Sequence, residues 1–418
     1  MAPSQQIESG SLIEFFELRT RDEEQGRSVI VGRVDTGQFI ELPALGMRII
    51  DDLRAGSRVA DVEDSLADQG IQLDVAGFAA QLREVGFIRA IDGVPDPDAP
   101  AARPPSLAWL KPGHVQWLFT RLTYVLCLLI VAAAVAACVL DSRIRPRYSD
   151  IFISEATSVV LVGSTAIFLA VVALHEFAHL ASARASGVPA RISFGTRLYS
   201  LVAQTDVSGM WAASGPERLR TYLAGMGLDV VLASVLILVR STAGADDPAD
   251  HVLAASVVII IVGVAGQFQL FMRTDMYFVA AHVLKARNLF EDASVQLLHM
   301  LRSVLRRASS EHPLSQLPSA ERRVVKAYAA IMITGTAGAL AVFAAYLLPA
   351  LVTLLVRGGQ RLAAGIGAGD VPMAVDGGVT LLVEGGTEVL IVVLMLKSRM
   401  PYIAGLRSRL RAAPESSS

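Results

Sequence analysis

Two patterns of hydrophobic positions divide the chain. Over the first hundred residues, apolar side chains recur in short sets. Phe15–Arg19 and Ser28–Arg33 look like strands, and Gln38–Leu42 leads into a helical pattern from about Pro43. Ile49, Ile50 and Leu53 recur at helical spacing, as do Val62, Leu66 and Ile71, and then Phe78, Leu82 and Val85. Gly56 and Gly70 punctuate these helices, and a short strand over Phe87–Ile91 ends the set. The pattern predicts a small α/β, winged-helix-like domain over residues 1–95. The proline-rich stretch DGVPDPDAPAARPPS follows, so residues 96–114 read as an extended, semi-rigid linker.

From residue 115 the pattern changes to long apolar runs. Leu122–Leu140, Ala156–Leu174, Tyr222–Val239 and Val252–Met272 each approach the roughly 20 residues that a bilayer core requires. A fifth run, Tyr328–Val356, is longer and is interrupted by Gly335, Gly338 and Pro349, which predicts a kink or a tilt. The sixth, Val379–Leu396, carries Glu384 and Glu388 on one helix face. The fold class expected is mainly α: a polytopic helical membrane protein of about six spans behind the N-terminal domain, with residues 115–418 as the membrane body.

Composition agrees with that division. The chain is 53% hydrophobic and 18% charged, with a mean hydropathy of +0.50. These values exclude a disordered protein and argue against an ordinary soluble enzyme. The net charge of −2 leaves no electrostatic footprint for nucleic acid, and the last helix of the N-terminal domain carries only Arg83. The two cysteines, Cys127 and Cys138, lie in one apolar run, which excludes a disulfide framework or a cysteine-built zinc site. No basic stretch followed by an apolar core opens the chain, so no cleavable signal peptide is expected.

Lysine and arginine favour one set of loops roughly threefold. Arg184, Arg191, Arg197, Arg218, Arg220, the 285–326 segment and the tail from Lys397 to Arg411 lie on the rich side. Arg143, Arg145, Arg147, Arg240, Arg357 and Arg361 lie on the other. The bias predicts that both termini face the cytoplasm of a bacterial-type cell membrane. The same basic runs suit contact with anionic lipid.

The strongest local signal is HEFAH, at the end of the second run. His175 and His179, four residues apart, project from one helix face about 5–6 Å apart at Cβ. Two imidazoles so placed can hold one Zn²⁺, and Glu176 beside them can take a proton from water and later deliver it to a leaving amine. Such residues at the edge of a bilayer core are functional by default. A third protein ligand is expected. Spans two and four run in the same direction, so Asp275, in FMRTDMYFV, lies at the depth of the histidines, and Asp206, in TDVSGMW, is the reserve. Gly225 and Gly227 suit close helix approach. Gln267 and Gln269 suit hydrogen bonds across helices or to a ligand, and His282 and His299 read as surface or supporting residues.

These motifs resemble the site-2-protease-like membrane zinc metallopeptidases, in the branch described as peptide zinc metalloproteases. The resemblance is carried by HEFAHLASARASGV, TDVSGMW, RLRTYLAGMGLD and RTDMYFVAAHVLKARNLFEDA, over roughly residues 155–293. It implies His175, His179 and Asp275 as ligands and Glu176 as the catalytic acid and base. Two departures bear on the substrate cleft: Asp275 is followed by Met276 where the family has glycine, and Met226, Gly227 and Asp229 stand where it has proline and asparagine. The stretch GQFIELPALGMRIIDDLRAGSRVADVEDSLADQGIQLDVAGFAAQLREVGFI resembles the small PqqD-like peptide chaperones. That likeness implies a precursor peptide added to a sheet edge.

The expected activity is zinc-dependent hydrolysis of a peptide bond near the cytoplasmic face, in the maturation or export of a ribosomally made peptide. The expected partners are a peptide or precursor, the lipid bilayer and a peptide exporter. Two other readings stand beside it: regulated intramembrane proteolysis of a signalling protein, and a non-catalytic peptide-binding export accessory.

Overall fold

The computed structural model describes residues 7–22, 28–102, 104–198, 200–242, 248–286, 288–304, 314 and 317–397. Arg287, Arg306, Arg307 and the basic tail beyond Lys397 lie outside the described residues. The chain is a mainly α, multi-pass membrane protein with a small N-terminal domain that contains strands.

The N-terminal domain opens with strands β1 (Ile13–Phe15), β2 (Arg19–Asp22), β3 (Ser28–Arg33) and β4 (Gln38–Pro43). Helices α1 (Ala44–Arg54), α2 (Val59–Ala67) and α3 (Val75–Glu84) follow, and strands β5 (Ile88–Ile91) and β6 (Val94–Pro95) close it. The strands form two sheets, ordered β2-β3-β4 and β1-β5-β6. The single strand expected over Phe15–Arg19 is therefore two strands in separate sheets, with Leu18 buried between them. The helical faces expected from spacing are the buried ones. Ile49, Ile50, Leu53, Val62, Leu66 and Leu82 join Val31, Phe87 and Ile88 in one core, and Ile71, Phe78 and Val85 pack at its margin. Burying each such side chain contributes about 1.5–3 kcal/mol.

One charge sits inside this core. Arg33 is 1% exposed, donates to Gly86 O at 2.8 Å and to both Asp35 oxygens, and lies 3.5 Å from the Phe16 ring centroid. The buried guanidinium is thus paired, hydrogen-bonded and stacked, as its desolvation demands.

The linker expected over 96–114 is held at several points. The buried Asp96 accepts from Arg83 Nε at 2.8 Å and Nη2 at 2.7 Å. Further on, Ser106 N donates to Ala190 O, and Ser106 O accepts from Arg184. Prolines favour extension, but these bonds tie the stretch down.

Past a helical turn, α4 (Pro112–Val115), come α5 (Arg121–Leu140), α6 (Thr157–Ala185), the paired strands β7 (Arg191–Arg197) and β8 (Ser200–Asp206), α7 (Gly215–Thr242) and α8 (Pro248–Gly266). Then follow α9 (Asp275–Val283), α10 (Leu289–Val304), α11 (Ser319–Val342), α12 (Leu348–Ala368) and α13 (Val371–Thr380). Among the described residues, six helical stretches are long and apolar enough to cross a bilayer. Exposed Trp109 and Trp117 precede α5, and exposed Tyr148 and Phe152 follow it, in the manner of interfacial aromatics.

The second and third spans are longer than the sequence reading, α6 running on to Ala185 and α7 starting at Gly215, and the last three differ in form as well. The fourth run is not one helix to Met272. It stops at Gly266, and Gln267–Thr274 is irregular before α9 begins. The fifth extends over 50 residues, Ser319–Ala368, through a π-helical turn at Phe343–Leu347. Pro349 has no N–H and crowds the carbonyl four residues back, and the widened turn accommodates it. The sixth is longer than expected, Val371–Lys397, with a second π turn at Leu381–Gly385 that holds Glu384.

Helices α12 and α13 form a tight hairpin. A Cβ on Gly365 would meet Ala374 backbone at 2.4 Å, and one on Gly377 would meet Leu362 N at 2.4 Å, so only glycine allows the approach. Asp376, on α13, lies 3.1 Å from Arg361 Nη1 and accepts from Ser158 N at the start of α6 at 2.8 Å.

By contact density the chain divides into two compact units. One comprises Met1–Thr120, His179–Ser193 and Thr205–Thr221; the other comprises Arg121–Ala178, Phe194–Gln204 and Tyr222–Ser418.

Candidate metal centre

Helix α6 runs for 29 residues, so its apolar stretch and the HEFAH turn form one uninterrupted rod. His175, Glu176 and His179 are all buried, at 6%, 8% and 6% exposure. The histidines share a face because four residues make about one turn.

Each imidazole has its Nδ1 committed. His179 Nδ1 lies 2.7 Å from the carbonyl oxygen of Thr221, at the start of α7. A carbonyl can only accept, so Nδ1 carries the proton, and in the neutral tautomer this selects the lone pair lies on Nε2. His175 Nδ1 lies 2.7 Å from Asp229 Oδ2, and its Nε2 lies 2.9 Å from Asp275 Oδ2. The second Asp229 oxygen is buried without a hydrogen-bond partner among the described residues, so this carboxylate is spent on the ring. A carboxylate or carbonyl behind a ligating imidazole fixes its tautomer and raises its basicity.

Asp275 reaches this point because α8 ends early. Thr274 Oγ1 donates to Gln267 O at 2.5 Å, and Asp275 N donates to Gln267 Oε1 at 3.2 Å, which satisfies the irregular backbone as an apolar surrounding requires. Arg273 takes a left-handed conformation, φ 55°, and turns the chain into α9. Asp275 is therefore the first residue of a new helix, not the last of a span, and its carboxylate sits at the positive end of the α9 dipole.

The turn is braced from behind. Tyr328 Oη donates to Leu270 O at 2.9 Å, and Tyr277 Oη accepts from Phe290 N at 3.1 Å. The two tyrosine rings lie 5.5 Å apart in a cluster with Leu289, Ala293 and Val325.

His175, His179 and Asp275 each offer one ligand atom, and these atoms lie within 4.8 Å of one another. The group can hold a metal ion. Its donor chemistry, two imidazole nitrogens and one carboxylate, fits a divalent transition metal and matches a three-ligand zinc site. His175 Nε2 and the Asp275 carboxylate face each other at 2.9 Å, an approach that calls for a proton or a cation between them.

Asp206 is not in this group. Its Oδ1 accepts from Ser208 N at 3.0 Å and Ser208 Oγ at 2.6 Å, so it is spent on a local turn that leads into the 3₁₀ stretch Ser208–Ala212. Gln267 supports Asp275, and the His282 ring packs 6.4 Å from that of Tyr222. Asp229 and the Thr221 carbonyl are the supporting groups that sequence reasoning missed as such. A signal existed for Asp229, an acid in the apolar run of α7, but a carbonyl has none.

No protein-family model, curated protein or solved structure matches the chain.

Proposed function

We propose that the chain is a zinc metalloendopeptidase of the bilayer, similar to the site-2-protease-like enzymes, that cuts a peptide bond near the cytoplasmic face. The observation that carries this reading is the convergence of three ligand atoms within 4.8 Å at an HExxH sequence, with both histidines oriented through Nδ1.

A purely structural metal site has no need of a further acid. Glu176 is buried beside the two histidines, and an ionisable side chain at the edge of a bilayer core is functional by default. When bound, zinc supplies a Lewis acid that polarises a carbonyl and lets water ionise near neutral pH. The remaining chemistry belongs to the chain. Glu176 takes the proton from water and returns it to the leaving nitrogen. Asp229 and Thr221 keep the two imidazoles in the ligating tautomer, and Asp275 supplies negative charge.

The substrate in this reading is a peptide or precursor presented by the PqqD-like N-terminal domain, whose β2-β3-β4 sheet suits strand addition. The product passes to a peptide exporter. The lysine and arginine bias supports an orientation with both termini in the cytoplasm of a bacterial-type membrane.

The test is zinc analysis of the purified protein, followed by proteomics of cells carrying wild type or Glu176→Gln. Uncut peptides should accumulate only with the variant. Equal processing by both would end the protease reading.

A further inference from the structure

The compact unit that contains the N-terminal domain also contains His179 and Thr221. The domain therefore does not stop at its own core. On β2, Arg21 Nη1 donates to Trp211 O at 2.9 Å and to Ala213 O at 3.4 Å. Both carbonyls belong to the Ser208–Ala212 turn or the residue after it. The same turn is gripped at Gly209, where a Cβ would meet Val188 Cγ1 at 2.7 Å and Val34 Cγ1 at 2.8 Å. Val34 follows β3 directly, so the turn is wedged between the end of that strand and the stretch after α6.

The next residue reaches Thr221. Met210 is fully buried, and its sulfur accepts from Thr221 Oγ1 at 3.9 Å. Thr221 is also fully buried. Its hydroxyl meets Ser182 Oγ at 2.9 Å, and its carbonyl receives His179 Nδ1 at 2.7 Å. Arg220 locks the same two helices together through Ser182 O and Ser186 Oγ. The path from Arg21 and Val34 through Gly209–Met210 and Thr221 to His179 is continuous packing and hydrogen bonding within one unit.

We propose that the N-terminal domain is a positioning element of the metal centre, setting His179 through the Ser208–Ala212 turn and the Thr221 carbonyl. The inference rests on the reading of His175, His179 and Asp275 as metal ligands. In this arrangement the domain that presents the peptide also aligns one ligand of the ion.

The test uses the full-length protein in detergent, loaded with Co²⁺ as the probe. Two readouts are followed: the visible absorption of the bound cobalt, and its affinity by chelator competition. Arg21→Ala and Gly209→Val should each weaken binding about tenfold, the scale of a lost supporting contact, and shift the cobalt bands. Arg21→Lys, which can still donate to the carbonyls, should restore most of both. Arg48→Ala, on the same domain but bonded to Gln69, should change neither. Should Gly209→Val not fold, Arg21→Ala and Val34→Ala decide. Wild-type affinity and spectrum in the Arg21 and Val34 variants would overturn the proposal while leaving the metal centre intact. No uptake of cobalt by the wild type would remove the metal centre, and this proposal with it.

Discussion

Asp229 Oδ2 lies 2.7 Å from His175 Nδ1, on the side of the ring away from Asp275. That contact makes Asp229 an orienting group and leaves Nε2 to face Asp275, where an ion could be held. Asp229→Ala should lower zinc affinity about 10–100-fold, as loss of such a partner does elsewhere. Asp229→Asn keeps an acceptor and should lose less. Chelator competition on the purified protein measures both, and equal losses would mean that the charge matters and the hydrogen bond does not.

The ligand set makes a separate expectation. His175→Ala, His179→Ala and Asp275→Ala should each lower zinc stoichiometry. Glu176→Gln should keep the metal and cost about 10²–10⁴ in rate, the usual scale for a lost general acid and base. Asp206→Asn, which can still accept from Ser208, should keep full metal content. An empty site in that variant, beside a filled one in Asp275→Ala, would reverse the assignment of the third ligand.

Acid should act on the N-terminal domain through Asp96. The Arg83 side chain bonded to it, more than any other group, holds its carboxyl below the ordinary carboxylate range. A depressed carboxylate pKa stabilises the fold fully above the unfolded value, near 3.9, and that stabilisation is lost as pH falls through the folded value. Wild type should therefore exceed Asp96→Asn in stability by about 1.5–3 kcal/mol at neutral pH. The gap should narrow below pH ~4. Pepsin cleavage of the two proteins, compared at each pH down to about 2, reads the difference. A gap that widened with acid would contradict the sign.

Topology follows from the charge bias. Reporter fusions after Asp246 and Gly367 should read as outside, and fusions after Ser310 and Ser417 as inside. A reporter at Ser417 reading outside would mean that Val371–Lys397 does not cross.

The sequence made some of this legible because certain signals are local. A four-residue spacing of histidines is a statement about one helix face, and an aspartate after an apolar run stands out against it. The structure brings His175, His179 and Asp275 together. What the residues did not disclose depends on partners distant in the chain. The break after Gly266 looked like continuing helix, because Phe268, Leu270, Phe271 and Met272 keep the run apolar. What ends it is a side chain, Thr274, bonding back to Gln267 O. Asp229 read as a family departure, since only the fold shows which ring it faces. The grip of Arg21 on Trp211 and Ala213 joins residues about 190 positions apart and leaves no pattern in composition or period.

The Ser158–Asp376 hydrogen bond serves as a depth gauge. Asp376 is paired with Arg361, and a charged pair on a glycine-packed hairpin belongs at the water's edge. His175 stands 17 residues further along the same uninterrupted helix, about 26 Å away at 1.5 Å per residue. Hydrocarbon is about 30 Å thick, so the imidazole lies within a few ångströms of the opposite boundary. A centre so placed would be a shallow well, not a deep shaft. In the protease reading proposed above, a peptide arriving from that side would have to unwind only about one helical turn into the membrane to reach it, and water would need no long channel to follow.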